Sequence, residues 1–123
     1  MCIRDSVCKN AETIVSRAEK SGVDPFVLVS WAYQEHQYGN NPDSVHKVVD
    51  SGSKIMKENL NVFGGNYRKS LCSFKVSLSK CFHLETKEAR SGMKYAVLIM
   101  NRAEYLNKVY ELFKSALLKA SSN

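Results

Sequence analysis

Glu35 is the residue of this chain whose position most strongly suggests chemistry. Its spacing from Leu28 and Trp31 places all three on one face of a predicted helix. A carboxylate on an apolar helix face is costly unless it is neutral, paired or used. Apolar burial and the negative end of the helix would both favour the protonated acid, which glycosidic-bond cleavage needs. Glu35 is therefore a candidate catalytic acid, and the competing interpretation is an ordinary carboxylate near a helix end.

A second carboxylate would change the predicted reaction. Asp43 and Asp50 follow Glu35 closely enough to face it across a groove, which is the geometry of a hydrolase. Both positions also suit helix caps and exposed turns, where aspartate is common. We therefore expect structural roles for Asp43 and Asp50, with Glu35 as the one catalytic carboxylate.

The cysteines and histidines predict no metal site. The chain has four cysteines, but it lacks a Cys-x-x-Cys motif and a nearby pair of histidines at ligand spacing. Cys72 and Cys81 would pair across a loop in an oxidising compartment, whereas reduced, half-buried thiols are expected where no signal sequence is visible. We favour reduced thiols, and we expect no metal and no cofactor.

The helix that presents Glu35 has clear boundary signals. The carboxylate of Asp24 can accept the free backbone N–H groups of the first turn, and Pro25 suits the first helical position. Gly22 can take the left-handed conformation that ends a preceding helix over about 11–20. These signals predict two consecutive helices joined by a tight turn.

The rest of the chain also has helical periodicity, and no β-type alternation is sustained. An apolar stripe continues to the last helical region, which we expect to end near residue 119. The fold class is therefore all-α, a compact domain of about five to six helices with little or no β-sheet. We expect the Glu35 helix to end near Tyr38-Gly39 and a turn to follow at 40–42. The next helical pattern is expected to kink or break at 51–53 and to stop at Gly64-Gly65. Asn66 and Thr86 are expected to cap later helices, and the basic stretch over 75–83 is expected to be mostly loop.

Length and charge limit the function classes. The chain of 123 residues suits one domain over 10–119, and residues 1–9 fit no element pattern, so we interpret them as a non-native or disordered leader. No apolar run reaches the roughly 18–20 residues of a membrane span, and no secretory signal is visible. The net charge of +6 favours acidic partners, but the basic residues are dispersed, so nucleic acid is not expected.

Three segments together resemble the lytic transglycosylase branch of the lysozyme-like superfamily. Residues 18–35 are similar to its small-residue helix, Gly-Val-Asp-Pro-like turn and glutamate-bearing helix. Residues 51–74 resemble its Phe-Gly-Gly-Asn turn with the flanking helices, and residues 102–110 resemble its closing helix. The resemblance covers most of residues 11–113, and it implies a compact lysozyme-like helical domain.

The resemblance also implies a function. In this family one glutamate protonates the bond between N-acetylmuramic acid and N-acetylglucosamine, then takes the proton of the muramic 6-hydroxyl, which closes a 1,6-anhydro ring. Glu35 matches that glutamate. His36, Phe74, Lys75 and Tyr105 match positions that would bind the glycan. The expected partner is a peptidoglycan strand, the expected state is a monomer, and the expected location is the periplasm or cell wall after export, or release by a phage.

Departures from the family pattern keep two other functions open. His36 stands where the family has serine, the Gly-Leu-Met-Gln segment is absent, and the Tyr-Asn-Ala-Gly box reads Phe74-Lys75-Val76-Ser77. These changes fit a catalytically inactive wall-binding or assembly protein of the same fold. A basic helical module that binds nucleic acid or another protein is the remaining alternative.

Overall fold

The computed structural model describes residues 11–36 and 42–121, and this part of the chain is all-α and compact, with no strand. The predicted fold class is therefore confirmed. Its α-helices are α1 (Ala11–Ser21), α2 (Pro25–His36), α3 (Pro42–Val62), α4 (Tyr67–Cys72) and α5 (Arg90–Ser121), with 3-10 turns at Leu78–Phe82 and Lys87–Ala89 between α4 and α5. None of these helices combines the length and the apolar character needed to cross a bilayer.

Several sequence predictions lie outside the described residues. They concern the leader at 1–9 and the chain between α2 and α3, where the Glu35 helix was expected to end near Tyr38-Gly39 and a turn to begin at residue 40. The side chains of His36 and Asp43 also lie outside the description.

The predicted start of α2 is confirmed by its hydrogen bonds. Asp24 Oδ1 accepts from the backbone N–H groups of Phe26 (2.8 Å) and Val27 (3.3 Å), which satisfies two donors of the first turn. Gly22 has φ +73°, the left-handed conformation expected at the end of α1. The backbone N–H of Asp24 also donates to Tyr67 Oη at 2.8 Å, so the first residue of α4 is tied to the start of α2.

Helix α3 is continuous through residues 51–53, so the predicted break there is wrong. The hydroxyls of Ser51 and Ser53 donate back to the carbonyls of Lys47 and Asp50, both at 3.1 Å, so the helix itself satisfies them. Gly52 between them is buried against the ring of Trp31. The glycine here allows α2 and α3 to approach closely rather than ending a helix.

The connection from α3 to α4 follows the sequence prediction. Gly64 and Gly65 have φ of +62° and +87°, and Asn66 Oδ1 accepts from the backbone N–H of Lys69 at 3.0 Å. Thr86 precedes the 3-10 turn before α5, but its side chain makes no capping hydrogen bond there. The predicted cap at Thr86 is therefore wrong, because the hydroxyl donates to the carbonyl of His83 instead.

Cys72 and Cys81 form a disulfide, with their Cα atoms 5.9 Å apart. The expectation of two reduced, half-buried thiols is wrong, since both residues are fully buried and bonded to each other. The stretch over 75–83, predicted as mostly loop, contains a 3-10 turn that brings the second cysteine to the end of α4. The disulfide is the centre of a small apolar cluster with Ala89, Phe63, Val76 and Leu84.

The main core lies where the first half of α5 packs on α2 and α4, and α1 and α3 cover the rest. Two buried serines satisfy their hydroxyls across this core: Ser30 donates to the carbonyl of Ile99 at 2.7 Å, and Ser70 donates to that of Met56 at 3.3 Å. Such bonds avoid the cost of burying an unpaired hydroxyl. The bond from Ser30 joins α2 to α5 and thereby positions the α2 helix that carries Glu35, while the bond from Ser70 joins α4 to α3.

Candidate functional site

Glu35 lies at a groove of about 320 Å³ between α2 and α3. The groove exists because Gly52 has no side chain, so the ring of Trp31 can lie against α3. A concave, mostly apolar wall with one polar group at its edge is typical of a small-molecule cleft. The lining residues are Trp31, Glu35, Val48, Ser51, Gly52, Ile55 and Phe74.

The predicted burial of Glu35 is wrong, because its side chain is exposed. Its helix neighbours Leu28 and Trp31 are buried, with exposed fractions of 0% and 3%. Glu35 is one residue from the end of α2, so its side chain reaches past the core that covers the earlier turns. The carboxylate is therefore open to a ligand from the groove side, and a neighbouring group holds it there.

That neighbour is Tyr95, whose hydroxyl donates a hydrogen bond to Glu35 Oε1. Tyr95 is 7% exposed and belongs to the main core. Burial raises the pKa of Tyr95 well above its ordinary value, and the hydrogen bond and the negative charge of Glu35 raise this pKa further. The phenol therefore stays protonated and directs its O–H at the carboxylate. Tyr95 was not among the residues that the sequence pattern singled out. The available signal was its spacing of four from Ile99, which places both residues on the same apolar face of α5.

The raised pKa of Tyr95 predicts that the stability of the protein depends on pH. The pKa of Tyr95 is raised in the folded protein, while in the unfolded chain it takes its ordinary value of 10.0. The stabilisation is fully present below pH 10 and is lost as the pH rises above it, by about 1.4 kcal/mol per pH unit. In urea unfolding, the native protein and Tyr95→Phe should change equally between pH 8 and 9, and the native protein should lose about 1 kcal/mol more than Tyr95→Phe between pH 10 and 11. Parallel pH profiles for the two proteins would contradict the assignment.

Phe74 and Lys75 reach the same site from the segment that follows α4. The ring of Phe74 lies 5.2 Å from that of Trp31, centroid to centroid, and forms part of the groove. The Nζ atom of Lys75 lies 5.0 Å from the centre of the Tyr95 ring. The structure thus brings Phe74 and Lys75, two of the predicted glycan-binding residues, close to Glu35. The disulfide fixes both ends of their segment.

The other predicted site residues do not gather at the groove. Tyr105 is 64% exposed and does not line the groove, because nearly three helical turns separate it from Tyr95 on α5. His36 ends α2, but its side chain is outside the description. Asp50 pairs with Arg17, with Oδ1 and Nε 3.0 Å apart, which agrees with the structural role expected for it.

The assembled groups can move a proton at an open apolar groove. Glu35 offers the carboxylate, Tyr95 orients it, and the rings of Trp31 and Phe74 supply an apolar wall. Trp31 Nε1 is buried without a hydrogen-bond partner, an uncommon feature for an indole inside a protein. No cluster of metal-ligating side chains occurs among the described residues.

Comparison with protein-family models, curated proteins and solved structures finds no match to this chain.

Proposed function

We propose that this protein is a peptidoglycan-cleaving, lytic transglycosylase-like domain with a lysozyme-like fold. The observation that carries the proposal is the Glu35 carboxylate, held by the buried Tyr95 hydroxyl at the edge of an aromatic groove. A single carboxylate with an orienting donor meets the need of a reaction that uses one acid–base group. The order of the family-like segments along the chain supports the same function.

In the proposed reaction, Glu35 acts twice. It first donates its proton to the oxygen of the glycosidic bond between N-acetylmuramic acid and N-acetylglucosamine, and that bond breaks. The resulting carboxylate then takes the proton of the muramic 6-hydroxyl, whose oxygen bonds to the anomeric carbon. The carboxyl group is thereby regenerated, and the product ends in a 1,6-anhydro ring. Tyr95 is a positioning residue, because it binds Glu35 rather than the glycan.

The groove and the adjacent segment after α4 offer contacts for the substrate near this carboxylate. Phe74 presents an aromatic ring for an apolar sugar face, and Lys75 presents an ammonium suited to the lactyl or peptide carboxylate of muramic acid. His36 remains a proposed contact to sugar hydroxyls. We propose the periplasm or cell wall, or release by a phage, as the place of action, and the buried disulfide supports an oxidising compartment.

The direct test is digestion of peptidoglycan sacculi by the purified protein, with mass analysis of the soluble products. We expect anhydro-muropeptides from the native protein and a loss of at least about 100-fold for Glu35→Gln, which keeps the shape but cannot donate a proton. Glu58→Gln is the matched control, because Glu58 is an exposed carboxylate on α3 away from the groove. Products that persist undiminished in Glu35→Gln would overturn the assignment.

The second candidate function is wall binding without catalysis. The exposure of Glu35 favours it, since an exposed carboxylate can bind a wall polymer at the groove edge without taking part in a reaction. Its signature in the same experiment is native protein that sediments with sacculi and releases no products. Salt-sensitive DNA binding without sacculus binding would instead favour the nucleic-acid module.

A further inference from the structure

The second half of α5 exposes a broad apolar face that the proposed function does not use. At 100° per residue the exposed apolar side chains, with the exception of Leu118, fall within about 160° of the helix circumference, and the remaining arc is otherwise mostly polar. Single exposed apolar residues are ordinary on proteins, but a continuous face of this size marks a binding surface. We call the following residues, with their exposed fractions, the α5 face: Tyr105 64%, Val109 46%, Tyr110 46%, Leu112 72%, Phe113 66% and Leu117 55%.

A groove of about 500 Å³ runs beside this face, between α5 and the α1–α2 pair. Pro25 and Phe26 at the start of α2 form one wall, and the ring of Phe26 meets that of Tyr110 edge-on at 5.7 Å. Leu106 and Tyr110 form the opposite wall. The groove is therefore an apolar channel with room for side chains of another helix.

The area of the α5 face matches what a stable dimer needs. Its six side chains are roughly half exposed or more, and an aromatic side chain can bury about 150–250 Å². Together they offer roughly 600 Å² per copy, to which the groove walls add, against the about 800 Å² per partner of a standard interface. Removing that much apolar surface from water favours association.

The charges beside the face select a basic, amphipathic helix as the occupant. Glu19, Glu111 and Lys114 line the groove, and no ion pair to either glutamate is found among the described residues. Lys108 and Lys114 flank the apolar face on the same helix. The two carboxylates outnumber the one lysine at the groove, which disfavours an anionic bilayer, whereas a second α5 would bring further lysines to them.

We propose that a second copy of this chain covers the α5 face, with the two helices antiparallel and each set into the other's groove. Such a two-fold arrangement is closed, because the same surface serves both copies. It replaces the monomer expected from the sequence. It uses none of the groups around Glu35, so it stands independently of the proposed function.

The test is sedimentation equilibrium of the full chain over a range of about 1–200 μM. We expect a mass of twice the 13.9 kDa of one chain at the upper concentrations. The double variant Leu112→Glu/Phe113→Glu should weaken association at least about tenfold, because it puts charges at the centre of the interface. Val62→Glu is the matched control, because Val62 on α3 is as exposed as Val109 of the α5 face but lies outside that face. It should leave association unchanged.

A second variant tests the charge argument without altering the apolar face. Glu19→Lys/Glu111→Lys should weaken association at low salt, and adding Lys108→Glu/Lys114→Glu should restore it. Circular dichroism melting establishes that each variant is folded. A native mass of 13.9 kDa throughout the range would overturn the proposal. A monomer that binds vesicles of anionic lipid through Leu112 and Phe113 would also overturn it, and would identify a membrane-facing helix instead.

Discussion

Adding one methyl group at Gly52 is expected to destabilise this protein by about 2 kcal/mol or more. A Cβ atom at this position would lie 2.1 Å from Cη2 and 2.4 Å from Cζ3 of Trp31. Alanine in place of glycine favours a helix by about 1 kcal/mol, whereas overpacking a core costs roughly 1–3 kcal/mol and more when the neighbour cannot move. Trp31 is 3% exposed and packs on Phe74, so the cost of overpacking prevails.

Urea unfolding of Gly52→Ala measures this cost, with Ser51→Ala as the neighbouring exposed control. Trp31→Phe removes the ring atoms that meet the new methyl group. In the Trp31→Phe background, Gly52→Ala should therefore be neutral or stabilising, and the double-mutant cycle should give a coupling of about 2 kcal/mol. An increase in stability for Gly52→Ala alone would show that the close approach of α2 and α3 is not required.

Loss of the Cys72–Cys81 disulfide is expected to cost about 3 kcal/mol. The bond closes a loop with a sequence separation of nine, and the chain entropy of the unfolded state accounts for most of this amount. Both half-cystines are fully buried beside Ala89, so separated thiols would also disturb the packing of this cluster. The melting temperature in a thiol reductant should therefore fall by more than 10 °C.

Cys2 and Cys8 must be replaced before this measurement, since any further cysteine can exchange with the disulfide. A Cys2→Ser/Cys8→Ser background isolates the bond, and Cys72→Ala/Cys81→Ala in that background should melt with and without reductant at one temperature. Equal melting of the oxidised and reduced background protein would contradict the predicted contribution. Binding of a ligand to the groove through Phe74 should weaken together with stability. In the variant without the disulfide, only packing holds the loop that carries Phe74.

The sequence was sufficient where a local pattern determines structure. Asp24, Gly22 and Asn66 each act within a few residues of their own position, so capping and turn preferences predicted the end of α1 and the starts of α2 and α4. The all-α class followed from the 3.6-residue periodicity for the same reason. Phe74 and Lys75 were selected through family resemblance, and their nearness to Glu35 agrees with that selection.

Features that depend on distant parts of the chain were not predictable in this way. The local sequence around Gly52 predicts a helix break. The reason for a glycine at this position is the ring of Trp31 on α2, which leaves no room for a side chain. Tyr95 lies sixty positions from Glu35, and nothing in the sequence links the two side chains. The exposure of Glu35 likewise depends on where the surrounding core ends, which a helix-face pattern does not specify.

The bond between residues 72 and 81 makes one wall of the groove a covalent ring that the rest of the fold holds at its two ends. Inside the ring, Phe74 lines the groove and Lys75 lies over the Tyr95 ring, while the cysteines remain in the core. The exposed positions of the ring, such as Lys75, can therefore be exchanged to alter what the groove accepts. Val76 has to be kept, because it packs against the disulfide cluster that holds the ring in place.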